Sequence, residues 1–180
     1  MKRTSLPILT VILTTSVTFP IELPEFQFKV DDGTSYRIEL PNEVLKSMAY
    51  KEIRWFEDKE KPQGILVDLN EDGYRDFIVR GSKQNCGTGG CPFNIFDGQT
   101  NKDLGWVGGM PILIGQTVIN GFPVISAYWH ASAEEGSYSV YVFNGQKYVI
   151  VWSVNLSGDS LKRLSETWKK VPEFKKSQQK

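Results

Sequence analysis

Residues 64 to 81 read GILVDLNEDGYRDFIVRG, which sets Asp68, Glu71, Asp72 and Asp76 between two apolar runs. Carboxylates this close repel one another, so the segment needs a reason to tolerate them. Counted from Asp68, the first, third, fifth and ninth positions are Asp68, Asn70, Asp72 and Asp76, and the sixth is Gly73. Oxygen side chains at alternate positions of a tight loop point inward, Tyr74 offers its backbone carbonyl, and glycine permits the sharp bend. That donor set suits calcium, which takes about six to eight oxygens at about 2.3–2.6 Å. A bound ion would cancel the repulsion. Asp, Asn and Gly also build Asx turns and tolerate positive φ, so an ion-free turn explains the same composition.

Val79 stands at the twelfth position, where an EF-hand carries its bidentate glutamate, and the flanks read as strands rather than helices. DLNEDGYRDFIV resembles instead the calcium loops of FG-GAP and VCBS-type repeats in secreted proteins, which read D-x-N-x-D-G-x-x-D before a strand. The resemblance implies a calcium ion held by Asp68, Asn70, Asp72 and Asp76 with the Tyr74 carbonyl. It spans about a dozen residues and occurs once, whereas a propeller needs many copies. The loop is carried over; the propeller is not.

Cys86 and Cys91 bracket GTGG. A zinc site would need two more ligands, and the single histidine of the chain cannot complete a usual set. A disulfide pinning a glycine-rich connection is the expectation, contributing about 2 kcal/mol through loop closure. Successive glycines can also present N–H groups to an anion. A P-loop would need a lysine and a following helix, so the stapled turn is the reading adopted. His130 lies in SAYWHASAEEGSYS beside Glu134 and Glu135, a set from which a hydrolase could draw a general base. No Gly-x-Ser-x-Gly elbow accompanies it, and a lone histidine closing a strand is commonly a polar edge residue.

The elements that must position these groups are short strands. EFQFKV and SYRIEL flank the turn signal DDGT, and GILVDL and DFIVRG flank the acidic loop. Asn120-Gly121 and Asn144-Gly145 each separate apolar runs, the strongest short hairpin signal. PFNIFDGQTNKDLGWVGG reads as a further strand pair about Asp97-Gly98. Val44, Leu45, Met48, Ile53 and Trp55 share one face of an early helix that opens near Pro41. A late helix carries Leu161, Leu164 and Trp168 behind an Asp159 cap, and the Lys-rich end after it reads as a solvated tail. Tyr128, Trp129, Tyr138, Tyr141 and Tyr148 crowd the last two hairpins, mostly as packing, with any exposed fraction available to a partner. The fold class is α+β, mostly antiparallel β-hairpins with one early and one C-terminal helix, in a single domain.

At 180 residues with 40% hydrophobic content the chain can bury a real core. Its 21 basic and 21 acidic residues balance, which argues against a nucleic-acid surface. Lys2 and Arg3 precede a short, threonine-diluted apolar stretch, the pattern of a secretory signal over 1–20, leaving a domain at 21–180. No membrane span is expected after signal cleavage. The expected location is periplasmic or secreted. The leading function is an exported, non-enzymatic binding module with a protein or carbohydrate partner, stabilised by a disulfide and a calcium ion. The alternatives are an inhibitor or immunity protein against an envelope-acting enzyme, and a hydrolase using His130 with nearby carboxylates.

Overall fold

The computed structural model describes residues 25–31, 33–51 and 61–175. The expected signal at 1–20 and the helix positions Ile53 and Trp55 lie outside these residues. Two five-stranded antiparallel sheets make up the β structure. The first runs in the order β1 (Phe26–Val30), β7 (Ile112–Ile119), β8 (Phe122–His130), β9 (Glu135–Phe143), β10 (Tyr148–Ser157). The second runs β2 (Tyr36–Arg37), β3 (Gln63–Val67), β4 (Asp76–Arg80), β5 (Cys91–Phe96), β6 (Asp103–Gly109). Helix α1 (Asn42–Lys51) follows β2, and α2 (Gly158–Lys170) follows β10.

In the first sheet three of the four neighbouring strand pairs are joined by short turns. Asn120 and Gly121 take φ of 53° and 86°, the left-handed pair that matches the twist of the β7–β8 hairpin. The Asn144 side chain accepts the N–H groups of Gln146 at 3.0 Å and Lys147 at 2.9 Å, closing the β9–β10 turn. The DDGT segment behaves differently from expectation. Its turn exists, with the Thr34 N–H donating to Asp31 O at 3.2 Å, but β1 and β2 do not pair. β1 lies against β7, with Phe28 opposite Ile114 and Val30 opposite Ile112, while β2 joins β3. The turn hands the chain from one sheet to the other, because β7 offers β1 a longer partner than two-residue β2 can.

The sheets stack face to face, and each is covered on its outer face by a helix. Ile65, Ile78, Phe93 and Ile95 of one sheet meet Ile112, Ile114, Ile125 and Tyr141 of the other in the central core. Along β4, Ile78 faces that core, while Phe77 and Val79 pack toward Val44 and Met48 of α1. On the other side Leu113, Tyr128 and Tyr138 pack under Leu164 and Trp168 of α2. The layers are therefore α1, second sheet, first sheet, α2. Both faces of both sheets need apolar residues, so clean polar–apolar alternation is lost in strands such as ILI and FPVISAY.

Helix α2 begins after Ser157, not behind an Asp159 cap. The Ser160 hydroxyl accepts the Ser157 N–H at 3.2 Å and donates to Ser157 O at 2.7 Å, while Asp159 lies inside the first turn. A carboxylate there still complements the helix dipole. The segment after α2 is partly built into the fold. The Phe174 N–H donates to Lys29 O at 3.0 Å, and the Phe174 ring packs on Phe28 at 5.1 Å. A solvated tail was the expectation; Phe174 buries itself because it completes the central core beside β1.

Met48 is fully buried where α1 meets the second sheet. Met48→Ala should cost about 2–5 kcal/mol in urea unfolding, whereas Glu43→Ala, on the exposed side of α1, should change stability by no more than about 0.5 kcal/mol.

Candidate functional site

The acidic loop resolves its repulsion through main-chain N–H groups. The Asp68 carboxylate accepts the amides of Asp72 at 3.2 Å and Gly73 at 2.9 Å. Asp72 accepts the Tyr74 amide at 2.8 Å and the Asn70 side-chain N–H at 2.9 Å. Glu71 and Gly73 supply the positive φ values, 60° and 87°, that curl the loop. Asp76 stands apart from the other three. It is fully buried at the start of β4, with Oδ2 accepting the Leu69 amide and Oδ1 the Gly98 amide, each at 2.8 Å.

Asp76 thus clamps the β3–β4 loop to the β5–β6 loop. A side chain at Gly98 would overlap the Arg75 carbonyl oxygen, so glycine is required for this close approach. Burial pushes the Asp76 carboxyl up to about 6; the two amides pull it down, and Asp97 and Asp72 add repulsion. Asp72 is exposed, so the expected ligand positions divide between a solvent-facing rim and an inward clamp. Among the described residues, no three His, Cys, Asp or Glu side chains converge as a ligand set. The rim presents the carboxylates of Asp68 and Asp72, with the Asn70 side-chain N–H turned onto Asp72.

A second candidate lies at the other end of the sandwich. Gly105, near the start of β6, abuts Lys147 and Tyr148, whereas Gly109 at its finish abuts the backbone of Tyr128. The acidic loop belongs to the first end and the disulfide loop to the second. There, Cys86 and Cys91 are bonded. Gly87 and Gly90 exchange two backbone hydrogen bonds of 3.0 Å, so their N–H groups are spent within the turn and not offered to an anion. Gly89 O accepts the His130 N–H at 3.2 Å, and a Cβ at Gly89 would overlap the Trp129 indole. The loop is therefore seated on β8.

Between this loop and α2 opens a cleft of about 760 Å³. Residues 86–91, Met110, Tyr128 and His130 form one part of its lining; Leu161, Lys162, Ser165 and Trp168 of α2 form another, with Ala133 and Glu134 closing one end. The Tyr128 and Trp168 rings lie 4.7 Å apart, and the buried Trp168 N–H has no hydrogen-bond partner among the described residues. Burial also raises the Tyr128 phenol. His130 and Glu134 share this cleft, while Glu135 faces a smaller hollow beside Ser157. Among the described residues the His130 imidazole makes a ring contact with Tyr128 at 6.0 Å and no hydrogen bond to Ser165 or Glu134.

The aromatic residues also divide. Tyr141 and Tyr148 belong to the central core and Tyr128 and Tyr138 to the layer under α2, while Trp129 is 41% exposed. Lys162, Ser165 and Met110 had no local signal in the sequence. Lys162 and Ser165 reach the cleft because α2 folds back across the sheet that carries His130, and Met110 reaches it from the β6–β7 connection. No protein-family model, curated protein or solved structure matches this chain.

Two outcomes follow for these groups. The folded state holds the Asp76 proton up to about pH 6, against an ordinary carboxyl value of 3.8. The associated stability is present below the unfolded value and lost as pH rises through the folded one. In chelator, the unfolding free energy of the wild type should therefore fall relative to Asp76→Asn between about pH 4 and 7; a rise over that range would contradict the buried-clamp account. Thiol counting on denatured, unreduced protein should find no free thiol, and reduction should cost about 2 kcal/mol. Two reactive thiols would contradict the bond.

Proposed function

We propose that this chain is an exported, non-enzymatic binding module whose recognition surface is the cleft between the disulfide loop and α2. The observation that carries the reading is the make-up of that cleft. A stapled loop, two strands and a helix hold its walls, and aromatic, cationic, anionic and hydroxyl groups share one concave surface. Such mixed lining on a rigid frame is what ligand sites commonly offer. Residues 86–91 and 130–134 both border it, and a protein or carbohydrate in the envelope or extracellular space is the partner class. The hydrolase reading gains the shared position of His130 and Glu134, and among the described residues no nucleophile is bonded to His130. Export rests on the basic start, the apolar stretch after it, and a disulfide, which persists in oxidising compartments.

Calcium at the acidic loop belongs to the same proposal and rests on the D-x-N-x-D-G-x-x-D pattern. Asp68, Asn70, Asp72 and the Tyr74 carbonyl form the rim that would meet the ion, with Asp76 behind them. Its role would be to stiffen the end of the sandwich opposite the cleft.

Ser165→Trp fills the cleft from α2 without replacing a residue of the cores. Immobilised wild type should retain a component from an envelope extract that Ser165→Trp retains at least about tenfold less, a loss of about 1.4 kcal/mol; equal retention at equal melting temperature would count against the cleft. Calorimetric titration of chelated protein should give calcium heat that Asp72→Ala removes. Absence of both heat and a melting shift at millimolar calcium would leave the loop an Asx-rich turn.

A further inference from the structure

The Cys86–Cys91 bond joins two sulfurs in unlike surroundings. Cys91 opens β5 and has no exposed surface. Its Sγ accepts the Arg80 Nε–H at 3.4 Å. Arg80 is itself buried at the end of β4, and its Nη1 donates to Gln63 Oε1 at 2.6 Å. Strand pairing fixes that contact, because Arg80 stands between Gln63 of β3 and Phe93 of β5. Cys86 is different. It is half-buried and lines the cleft, where Lys162, His130 and Glu134 are the charged or titratable groups. A bond that only closed a loop would need neither a cysteine facing a cleft nor a buried guanidinium on the opposite sulfur.

From these two settings we infer that the disulfide is a thiol-exchange site, at which a small thiolate of the glutathione or cysteine class enters the cleft and attacks Cys86 Sγ. The incoming sulfur bonds to Cys86, the Cys86–Cys91 bond breaks, and its electron pair stays on Cys91 as a thiolate beside Arg80. No proton moves in the step. A second thiolate attacking the incoming sulfur of the mixed disulfide releases Cys86 as a thiolate, so two small thiols leave as one disulfide and the protein gains two electrons. The direction follows from the leaving group: the sulfur that carries negative charge better departs faster, and a neighbouring cation stabilises that charge. Access points the same way, since Cys91 has no exposed surface. The step uses the cleft only as an entry path and does not depend on a partner binding there.

Oxidised full chain mixed with excess glutathione tests this. Samples quenched in acid, alkylated and mapped by peptide fragmentation should carry glutathione on Cys86 and the alkyl group on Cys91. Arg80→Gln should slow opening at least about threefold, and Arg80→Lys, which keeps the cation, should recover most of the rate. If Arg80 served packing alone, its loss would loosen the site and speed opening instead. Glutathione found on Cys91, opening in Arg80→Gln that is no slower than in the wild type, or a wild-type bond that opens only in denaturant would each overturn the inference. The first and the last of these are read on the wild type and need no variant to fold.

Discussion

Tyr141, Phe143 and Tyr148 of the first sheet pack with Phe93, Ile95 and Leu104 of the second in one continuous core, and this packing sets where everything else can go. It brings β6 so close to the first sheet that Gly109 has no room for a side chain beside Tyr128, and the Met110 N–H reaches Tyr128 O at 2.6 Å. With the inner faces joined, each sheet still has an apolar outer face to bury. Helices α1 and α2 answer that need, and the hydrophobic term they add is non-directional and proportional to area. The cleft follows from the same geometry. Where α2 starts beside Glu134, with the Gly158 N–H donating to Glu134 O at 3.4 Å, it stands off the disulfide loop and leaves a concave space.

The two ends of the sandwich solve different problems. At one, four acidic side chains lie within nine residues, and the loop closes by giving Asp68, Asp72 and Asp76 backbone N–H donors. Asp76 shows the limit of that solution, since burial still raises its carboxyl while two amides favour the charge. The Tyr148 phenol, whose hydroxyl donates to Pro123 O at 3.0 Å, is raised as well, first by burial and then by the Asp76 charge. At the other end, the disulfide fixes a glycine-rich turn that has almost no side chains to pack. Gly89 and Gly90 are buried there because Trp129, Gly109 and Met110 close around them. A bond of covalent strength suits a segment that gains little from hydrophobic burial.

Local signals in the sequence marked local structure well. Asn120-Gly121 and Asn144-Gly145 specify their hairpins through backbone conformation and side-chain acceptors, which depend on a few neighbouring residues. DDGT carried an equally good turn signal, but its flanking strands chose partners by burial at long range. No turn residue encodes that choice. Phe174 shows the same effect, as an aromatic residue among lysines whose burial depends on a gap beside β1. The fold class was legible because short alternating runs and turn residues recur along the chain. The cleft was legible only in halves: CGTGGC and His130 stood out by type, whereas Lys162, Ser165 and Trp168 belonged to a helix whose crossing could not be read from periodicity. Asp76 looked like its acidic neighbours, and its inward direction follows from the strand phase of β4, in which Asp76 and Ile78 share the buried side.

The cleft is the surface proposed to meet a partner. Amide hydrogen exchange on the protein alone and with the component it retains tests this most directly, because it reports every backbone segment at once. The prediction is slowed exchange at 86–90, 130–134 and 158–168, with 68–76 unchanged. Protection confined to the acidic loop, or none in the three cleft segments, would contradict it.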